Sequence, residues 1–301
     1  MSDPEIIALR ELIASRPRSE EIAQRRRDID ARGLQNKLPA DVKVEPVTAN
    51  GVKAEWISTP DADAGKVVLY LHGGGYVIGS LDSHRHLVAE ISRAARVRAL
   101  AVDYRLAPEH PFPAAVDDAL AVYRFLLSSG APLGGITIAG DSAGGGLVVA
   151  AMVAIRDAGL AQPACGWPIS PWVDMEAIGD SMAGKAATDP TVQKAGILDM
   201  AKHYLNGADP RSPLAAPLYA DLHGLAPLFI QVGAAETLLD DAIRLAQVAG
   251  AADVAVDLQI WPEMIHVWHM YFPQLGAGRR AIAAGAEFVR AMTSRGSRSG
   301  F

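Results

Sequence analysis

The sequence predicts an α/β protein with a mainly parallel central sheet that is covered by helices on both faces. Short apolar runs, which are typical of buried strands, begin near Val67, Val97, Ile136, Cys165, Leu228 and Val254. Helical stretches separate these runs, at 85–95, 114–127, 147–158 and 241–249. Apolar strands that alternate with helices indicate strands buried on both faces, because each crossover helix covers one side of the sheet.

The composition excludes several classes of protein. Half of the 301 residues are hydrophobic and 21% are charged, which is typical of a globular protein with an ample core. The net charge is −6 and no long basic run occurs, so we expect no nucleic-acid partner. The acidic start of the chain lacks the features of a signal peptide, and no run of about 18 apolar residues predicts a membrane span. With a single cysteine, Cys165, we expect a cytoplasmic protein without stable membrane association.

Two amphipathic helices are predicted before the first strand. Asp3-Pro4-Glu5 has the cap residue, the proline and the acidic residue of a helix start. A second helix follows from Ser19 and should end near Gly33. Because both helices precede the sheet, we assign residues 1–45 to the N-terminal part of a helical cap.

A hairpin at the sheet edge follows, and a second segment breaks the strand–helix alternation later in the chain. Apolar residues alternate with polar ones on either side of Asn50-Gly51, a dipeptide typical of type I′ turns. Residues 175–217 are interrupted by Gly and Pro and predict no strand. We interpret them as a cap insertion, which leaves 46–174 and 218–301 for the α/β domain, closed by a helix at 279–292.

The segment Gly140-Asp141-Ser142-Ala143-Gly144 joins a strand-like run to the long helix that starts near Leu147. G-x-S-x-G between a strand and a helix is the nucleophile elbow, in which a sharp turn exposes the serine. Glycine is needed on both sides because a Cβ would collide with neighbouring backbone. The N-terminus of the next helix favours an oxyanion. For this motif alone, an ordinary glycine-rich turn is the alternative.

A glycine-rich loop directly after the Val67 run supports the same chemistry. His72-Gly73-Gly74-Gly75 presents backbone N–H groups with little steric hindrance, as the H-G-G-G oxyanion loop of lipases and esterases does. Three consecutive glycines allow a substrate oxygen to approach these donors closely.

A serine nucleophile needs a base and an acid that orients it. His266 follows the last predicted strand and Glu236 follows the strand before it, so the chain order is nucleophile, acid, base, as in α/β-hydrolases. Asp240 and Asp241 compete with Glu236, although both fit the first turn of the next helix.

Other polar residues near these motifs receive different interpretations. His84 and His86 fall in a predicted polar helix start and do not share a helix face, so we expect them to be surface residues rather than metal ligands. We expect His269 to pack in the interior and Asp141 to hold the turn beside the nucleophile.

These motifs together resemble those of the bacterial hormone-sensitive-lipase-like (family IV) esterases of the α/β-hydrolase superfamily. The similarity rests on 72–75, on Gly140–Gly145 and on 104–115, which reads Tyr-Arg-Leu-Ala-Pro-Glu-His-Pro-Phe-Pro-Ala-Ala. Weaker similarities are found at Asp189-Pro190, at residues 233–241 and at the position of His266. One departure concerns the acid, since many members carry an aspartate in a D-P-L-x-D segment where this chain has Glu-Thr-Leu-Leu-Asp.

The resemblance implies an α/β-hydrolase fold and a serine carboxylesterase that hydrolyses short-chain acyl or aryl esters through an acyl-enzyme. Ser142 would be the nucleophile, His266 the base and Glu236 the acid. The oxyanion donors would be the N–H groups of Ala143 and of two among Gly73, Gly74 and Gly75, and no metal or organic cofactor is implied. Candidates to line an acyl pocket, with packing in the cap core as the alternative, are Tyr76, Trp172, Met200, Tyr204 and Trp268.

Several alternatives share these motifs. A deacetylase, lactonase, thioesterase or amidase of a specific metabolite would use the same triad. A binding-only protein, like the gibberellin-receptor-like relatives, would lack the catalytic histidine, which this chain keeps at His266. The family also suggests a homodimer through an edge strand at Val254–Trp261.

Overall fold

The computed structural model describes residues 3–17 and 19–295, which form one eight-stranded sheet flanked by helices. The strands are β1 (Lys43–Ala49), β2 (Val52–Ser58), β3 (Asp63–Leu71), β4 (Val97–Val102), β5 (Ile136–Asp141), β6 (Cys165–Ile169), β7 (Leu228–Gly233) and β8 (Val256–Trp261). The helices are α1 (Pro4–Ala14), α2 (Ile22–Gln35), α3 (Leu81–Ala95), α4 (Ala114–Ser128), α5 (Ala143–Asp157), α6 (Ser181–Gly184), α7 (Lys194–Leu205), α8 (Leu239–Ala251) and α9 (Gly276–Arg295).

The strand order is β1-β2-β4-β3-β5-β6-β7-β8. Strands β3 to β8 pair in parallel, whereas β1 pairs antiparallel with β2 and β2 pairs antiparallel with β4. The predicted mainly parallel α/β sheet is therefore confirmed. Because β5, β7 and β8 run in the same direction, the loops that follow them meet at one edge of the sheet.

The sheet is buried on both faces. In β3, Leu69 and Leu71 belong to the core that α4, α5 and α8 cover, whereas Val68 and Tyr70 belong to the core beneath α3 and α9. This alternation follows from the two-residue period of a strand and explains why the strand sequences are continuously apolar.

The hairpin between β1 and β2 turns as its sequence predicts. Asn50 and Gly51 have φ angles of +49° and +90°, as a type I′ turn requires, and Ala49 pairs with Val52. Residues 175–217 contain α6 and α7 and contribute no strand to the described sheet, as predicted.

The expectation that His84 and His86 lie on the surface is wrong. Helix α3 begins at Leu81, where Ser80 caps it, and its inner face covers the sheet with both histidines buried. Their burial is compatible with their polarity because His84 contacts Ser83 and Asp141, and the Nε2 atom of His86 contacts the carbonyl oxygen of Met270.

Helix α1 packs against the start of α9 and the segment that precedes it. Ile6, Leu9 and Ile13 form a separate apolar cluster with Trp268 and with residues of α9. Cys165, at the start of β6, is buried and lies 3.3 Å from the hydroxyl oxygen of Thr137. Among the described helices, none combines the length and apolar character that a membrane crossing needs.

Candidate active site

Ser142 occupies the sharp turn between β5 and α5. Its φ and ψ angles are +56° and −120°, a conformation that non-glycine residues rarely adopt. The turn is fixed by the N–H of Ser142, which donates to the carbonyl oxygen of Ile169 at 2.8 Å, and by the N–H of Trp172, which donates to the carbonyl oxygen of Ser142 at 2.9 Å. A strained residue that its neighbours hold on both sides is typical of a functional site.

The glycines on either side of Ser142 are required by space. A Cβ on Gly140 would collide with the carbonyl oxygen of Gly144, and a Cβ on Gly144 would collide with the carbonyl oxygen of Leu71. Helix α5 therefore lies directly against the strand that leads into the oxyanion loop.

The structure brings His266 and Glu236 together beyond β8 and β7. The Nδ1 atom of His266 lies 2.7 Å from Glu236 Oε2, and both side chains are buried. Burial lowers the pKa of His266, but the hydrogen bond and the negative charge of Glu236 outweigh it, so the pKa is raised above 6.5. With Nδ1 bound to the carboxylate, Nε2 is the nitrogen left to accept a proton.

Asp240 and Asp241 bind other parts of the chain. Asp240 accepts from the N–H of Ser181 at 2.8 Å, and Asp241 accepts from the N–H groups of Val173 and Asp174. Both aspartates fasten α8 to the segment 173–181, and Glu236 is the carboxylate beside His266.

Ser170 is a site residue that the sequence motifs do not predict. Its hydroxyl donates to Glu236 Oε1 at 2.8 Å and accepts from the N–H of Val267 at 3.2 Å. The N–H of Gly233 donates to the same carboxylate oxygen at 2.5 Å. Both donors fix the orientation of the carboxylate before His266 approaches it. The available signal was the position of Ser170 directly after β6, at the edge of the sheet where the site forms.

In the oxyanion loop, residues 72–75, one backbone N–H group is hydrogen-bonded within the protein. The N–H of Gly73 donates to Asp141 Oδ1 at 3.0 Å, so it is not available to a substrate oxygen. Among the described residues, no acceptor binds the N–H groups of Gly74 and Gly75. Ala143 is the first residue of α5, so its N–H has no acceptor within the helix. These three N–H groups remain for an oxyanion.

The side chain of His72 supports the loop instead of taking part in proton transfer. Burial, followed by the nearby His84, lowers its pKa to about 3, so the ring is neutral at physiological pH. The ring stacks on Tyr104 with centroids 4.3 Å apart, and the Tyr104 hydroxyl donates to the carbonyl oxygen of His72 at 2.6 Å.

Four of the five residues expected to contact substrate are packed inside the protein. Tyr76, Trp172 and Tyr204 are each 1% exposed, and Trp268 is 0% exposed. Tyr76 stacks on Tyr204 with centroids 3.8 Å apart, and Trp268 belongs to the same apolar cluster as the buried residues of α1. This burial favours the alternative of packing in the interior, where large aromatic rings gain by contact with one another.

Met200 of α7 is the exception, because it keeps part of its surface exposed. Its sulfur atom lies so close to Gly75 that a Cβ on that glycine would overlap it. Met200 therefore places helix α7 against the oxyanion loop.

The structure also offers no cluster for a metal within its described residues, where three or more His, Cys, Asp or Glu side chains would have to converge. The groups just described, a strained serine, a buried His–carboxylate pair and bare N–H groups, are those of serine acyl transfer.

Comparison with known proteins agrees with this geometry. A family model described as an alpha/beta hydrolase fold matches residues 68–270. An acetyl-hydrolase of Streptomyces hygroscopicus is 47% identical over 302 residues, which cover 98% of this chain and 99% of that protein. The crystal structure of an esterase from the bacterial hormone-sensitive lipase family is 48% identical, with a TM-score of 0.95, 97% coverage of this chain and 99% of that one. The chain belongs to the hormone-sensitive-lipase-like family of α/β-hydrolases.

Relatives within this hormone-sensitive-lipase-like family indicate the type of reaction. EstE5, whose crystal was soaked with p-nitrophenyl butyrate, is 47% identical, with a TM-score of 0.94 over 97% of this chain and 100% of that one. Other relatives are an esterase and a carboxylic ester hydrolase. The protein is accordingly a carboxylic ester hydrolase.

Proposed function

We propose that the protein is a serine carboxylesterase that hydrolyses short-chain acyl or aryl esters through an acyl-enzyme on Ser142. The observation that carries this proposal is the buried hydrogen bond between His266 and Glu236, at the sheet edge where the strained turn holds Ser142. A serine hydroxyl is a poor nucleophile near pH 7, and an oriented imidazole beside it supplies the base.

In the first half of the reaction, the Ser142 oxygen attacks the ester carbonyl carbon while Nε2 of His266 takes the hydroxyl proton. The negative charge that forms on the carbonyl oxygen is stabilised by the N–H groups of Gly74, Gly75 and Ala143. The tetrahedral intermediate then collapses, the bond to the alcohol oxygen breaks, and His266 returns its proton to the departing alcohol. Glu236 stabilises the imidazolium in between.

In the second half, a water molecule attacks the acyl-enzyme. His266 removes a proton from the water, the same N–H groups stabilise the second oxyanion, and the bond to Ser142 breaks. The serine recovers its proton from His266, and the carboxylic acid leaves. Every proton in the cycle passes through His266, so no metal or organic cofactor is required.

Two observations support a preference for short acyl chains. Met200 lies against Gly75 and narrows the space above the oxyanion loop. Relatives at 47% identity are an acetyl-hydrolase and an esterase that was soaked with a butyrate ester. In this proposal α2 and residues 175–217 form the cap over Ser142, and the single buried cysteine fits a cytoplasmic site of action.

The test is hydrolysis of p-nitrophenyl esters from two to sixteen carbons by the wild type and by Ser142→Ala. We expect activity that peaks at short chains and is abolished by the substitution. Activity that peaks at long chains would contradict the narrow pocket. No activity on any ester, with Ser142 still labelled by an organophosphate, would favour an amidase, thioesterase, lactonase or deacetylase. No labelling at all would favour a binding-only protein.

A further inference from the structure

We propose that His84 is a positioning residue of this site, which holds Asp141 and through it the oxyanion loop. The inference rests on the proposed function, because it assigns the shape of that loop to a residue outside the catalytic triad. His84 belongs to α3, far in sequence from the elbow, and no motif of the chain includes it.

The ring of His84 is fixed at both nitrogen atoms. Nε2 lies 3.3 Å from Asp141 Oδ2, and Nδ1 lies 2.7 Å from the hydroxyl oxygen of Ser83. Only 3% of His84 is exposed, so water does not compete for either contact. A buried ring with both nitrogens engaged has one orientation, which is what a positioning residue needs.

Asp141 transmits this orientation to the oxyanion loop. Its Oδ1 atom accepts from the N–H of Gly73 at 3.0 Å and from the hydroxyl of Tyr70 at 2.8 Å. The carboxylate also lies so close to Gly73 that a Cβ there would collide with it. A rotation of the carboxylate would therefore turn the peptide at Gly73, and the next two N–H groups in the loop, those of Gly74 and Gly75, would turn with it.

The charge of Asp141 gives His84 a second task. Burial raises the pKa of Asp141, but His84 and the hydroxyl of Tyr70 outweigh burial, so the pKa is lowered and the group stays ionised. An ionised carboxylate in contact with the oxyanion loop opposes the developing oxyanion unless a donor faces it.

Two other rings face His84, and the one that donates to Asp141, that of Tyr70, donates to Oδ1 and not to Oδ2. The centroid of His72 lies 5.4 Å from that of His84, and the centroid of Tyr70 lies 6.5 Å from it. His72 is neutral, with a pKa of about 3, and burial raises the pKa of Tyr70 well above its usual value. The Nε2 donor of His84 is therefore the group that faces Oδ2 of the carboxylate.

The far side of His84 is connected to helix α2 through Ser83 and Ser80. Ser83 and Ser80 form a capping box at the start of α3, in which the side chain of each accepts from the N–H of the other. The hydroxyl of Ser80 donates to Asp30 Oδ1 of α2 at 2.5 Å. His84 is thus held between the cap helix α2 and the elbow, and it cannot follow a movement of one without affecting the other.

The experiment compares His84→Ala, His84→Gln and His86→Ala in the full chain, with p-nitrophenyl butyrate as substrate. We expect His84→Ala to lower kcat by about 10- to 100-fold, the range that a misplacement of about 1 Å produces, with KM changed less than about 2-fold. His84→Gln should recover most of kcat, because its amide N–H reaches the position of Nε2. His86 is a matched control, since it is equally buried on the same helix and contacts Met270 instead.

A melting temperature for each variant separates positioning from folding. A merely structural role would make His84→Ala and His86→Ala lose kcat in proportion to stability and would allow no rescue by glutamine, and that result would overturn the proposal. So would an unchanged kcat in His84→Ala. Combining His84→Ala with Asp141→Asn adds a further check, because residues that act through one carboxylate should not have multiplicative effects on kcat.

Failure of the esterase activity would not hide the outcome. If the wild type hydrolyses no ester, the rate at which an organophosphate labels Ser142 replaces kcat, because the phosphoryl oxygen needs the same N–H donors. A slower rate in His84→Ala but not in His86→Ala would still support the positioning role. Equal rates in the wild type and His84→Ala would overturn it.

Discussion

At the scale of single residues, the surroundings of His266 decide at which pH the site works. The imidazole accepts a proton only when it is neutral, so activity falls as the pH drops through its pKa. Glu236 raises that pKa above 6.5 despite burial. On the acidic side of the kcat/KM profile, the midpoint of the loss of activity should therefore lie above pH 6.5.

Replacing Glu236 by glutamine tests this directly. The substitution removes the charge while burial remains, so the pKa of His266 should fall and the acidic limb should shift to lower pH. The maximal kcat should fall by about 10²- to 10⁴-fold, because the imidazolium loses its partner. The measurement is kcat/KM against pH for both proteins. Asp240→Asn is the control, since Asp240 contacts Ser181 and should leave the profile unchanged; a limb that does not move in Glu236→Gln would contradict the role of Glu236.

Met200 should control the length of the acyl chain. Met200→Ala removes the side chain that lies over Gly75, so longer chains gain room. We expect the ratio of kcat/KM for octanoate to that for butyrate to rise about 10-fold, as pocket changes of a few methylenes do. Leu198→Ala, on the same helix but 37% exposed, should leave the ratio unchanged. An unchanged ratio in Met200→Ala would place the acyl chain elsewhere.

The residues that could be predicted are those whose chemistry is local in the sequence. Ser142 lies in a contiguous motif that fixes its own backbone, and strand ends indicated Glu236 and His266. The roles of Ser170 and His84 could not be predicted. Their contacts, with Glu236 and Asp141, join residues that are 66 and 57 positions apart, and spacing in the sequence does not reveal such contacts. For the aromatic residues the sequence leaves two assignments open, because an apolar ring has the same sequence signature in a pocket and in a core.

At the scale of secondary-structure elements, α2 is tied to the active-site loops by Arg26. Its guanidinium donates to the carbonyl oxygens of Val77 and Ala107, each at 2.8 Å, and forms a bidentate ion pair with Glu109. Val77 lies two residues after the oxyanion loop and donates its N–H to the carbonyl oxygen of Gly74. A single side chain thus joins α2 to the turn that follows the oxyanion loop.

Arg26→Ala should therefore lower the free energy of unfolding by about 1–3 kcal/mol, because two buried carbonyl groups lose their donor. Arg26→Lys should not restore it, since one ammonium group cannot reach three separate acceptors. Urea unfolding measures the change. Arg27→Ala, which loses only contacts with Gln24, should have no such effect; equal losses in the two alanine variants would contradict this role of Arg26.

The ion pair between Arg26 and Glu109 should make the difference in unfolding free energy between wild type and Arg26→Ala depend on pH. The hydrogen bond from Arg26 lowers the pKa of Glu109 to about 2, from an ordinary value of 4.5. A lowered pKa stabilises the folded state above 4.5, and this contribution disappears as the pH falls through about 2. The gap between wild type and Arg26→Ala should narrow over that interval.

Secondary-structure elements could be predicted where the apolar residues of the sequence follow a regular pattern. The apolar strands and the Asn50-Gly51 turn follow from sequence because a buried strand and a type I′ turn each demand particular residues. The start of α3 and the burial of its histidines could not, because a polar residue is buried only when a partner from another element satisfies it. Asp141 supplies that partner for His84.

At the scale of the whole molecule, β8 is an exposed edge of the sheet. It pairs with β7 on one side, and Ile260 is 44% exposed. An edge strand with an exposed apolar residue favours pairing with a second copy of the chain. We propose a homodimer through β8, with a mass in solution of twice 31.8 kDa.

Ile260→Lys should reduce the mass in solution, measured by light scattering, to that of the monomer, because a charge on an edge strand blocks strand pairing. Leu12→Lys is the matched control, since Leu12 is similarly exposed but belongs to α1. A monomeric wild type at working concentration would exclude the dimer. A dimer in both variants would place its interface on another surface.

The position of Cys165 has a practical consequence for following motion in this enzyme. It is the only cysteine of the chain, it is buried at the start of a central strand, and burial raises the pKa of its thiol to about 12. Thiol reagents attack the thiolate, so the native protein is in effect unreactive toward them. A spin label or fluorophore on a cysteine introduced at an exposed position of α7 would therefore attach at that point alone. Any movement of α7 relative to the sheet could then be timed in an otherwise unaltered chain.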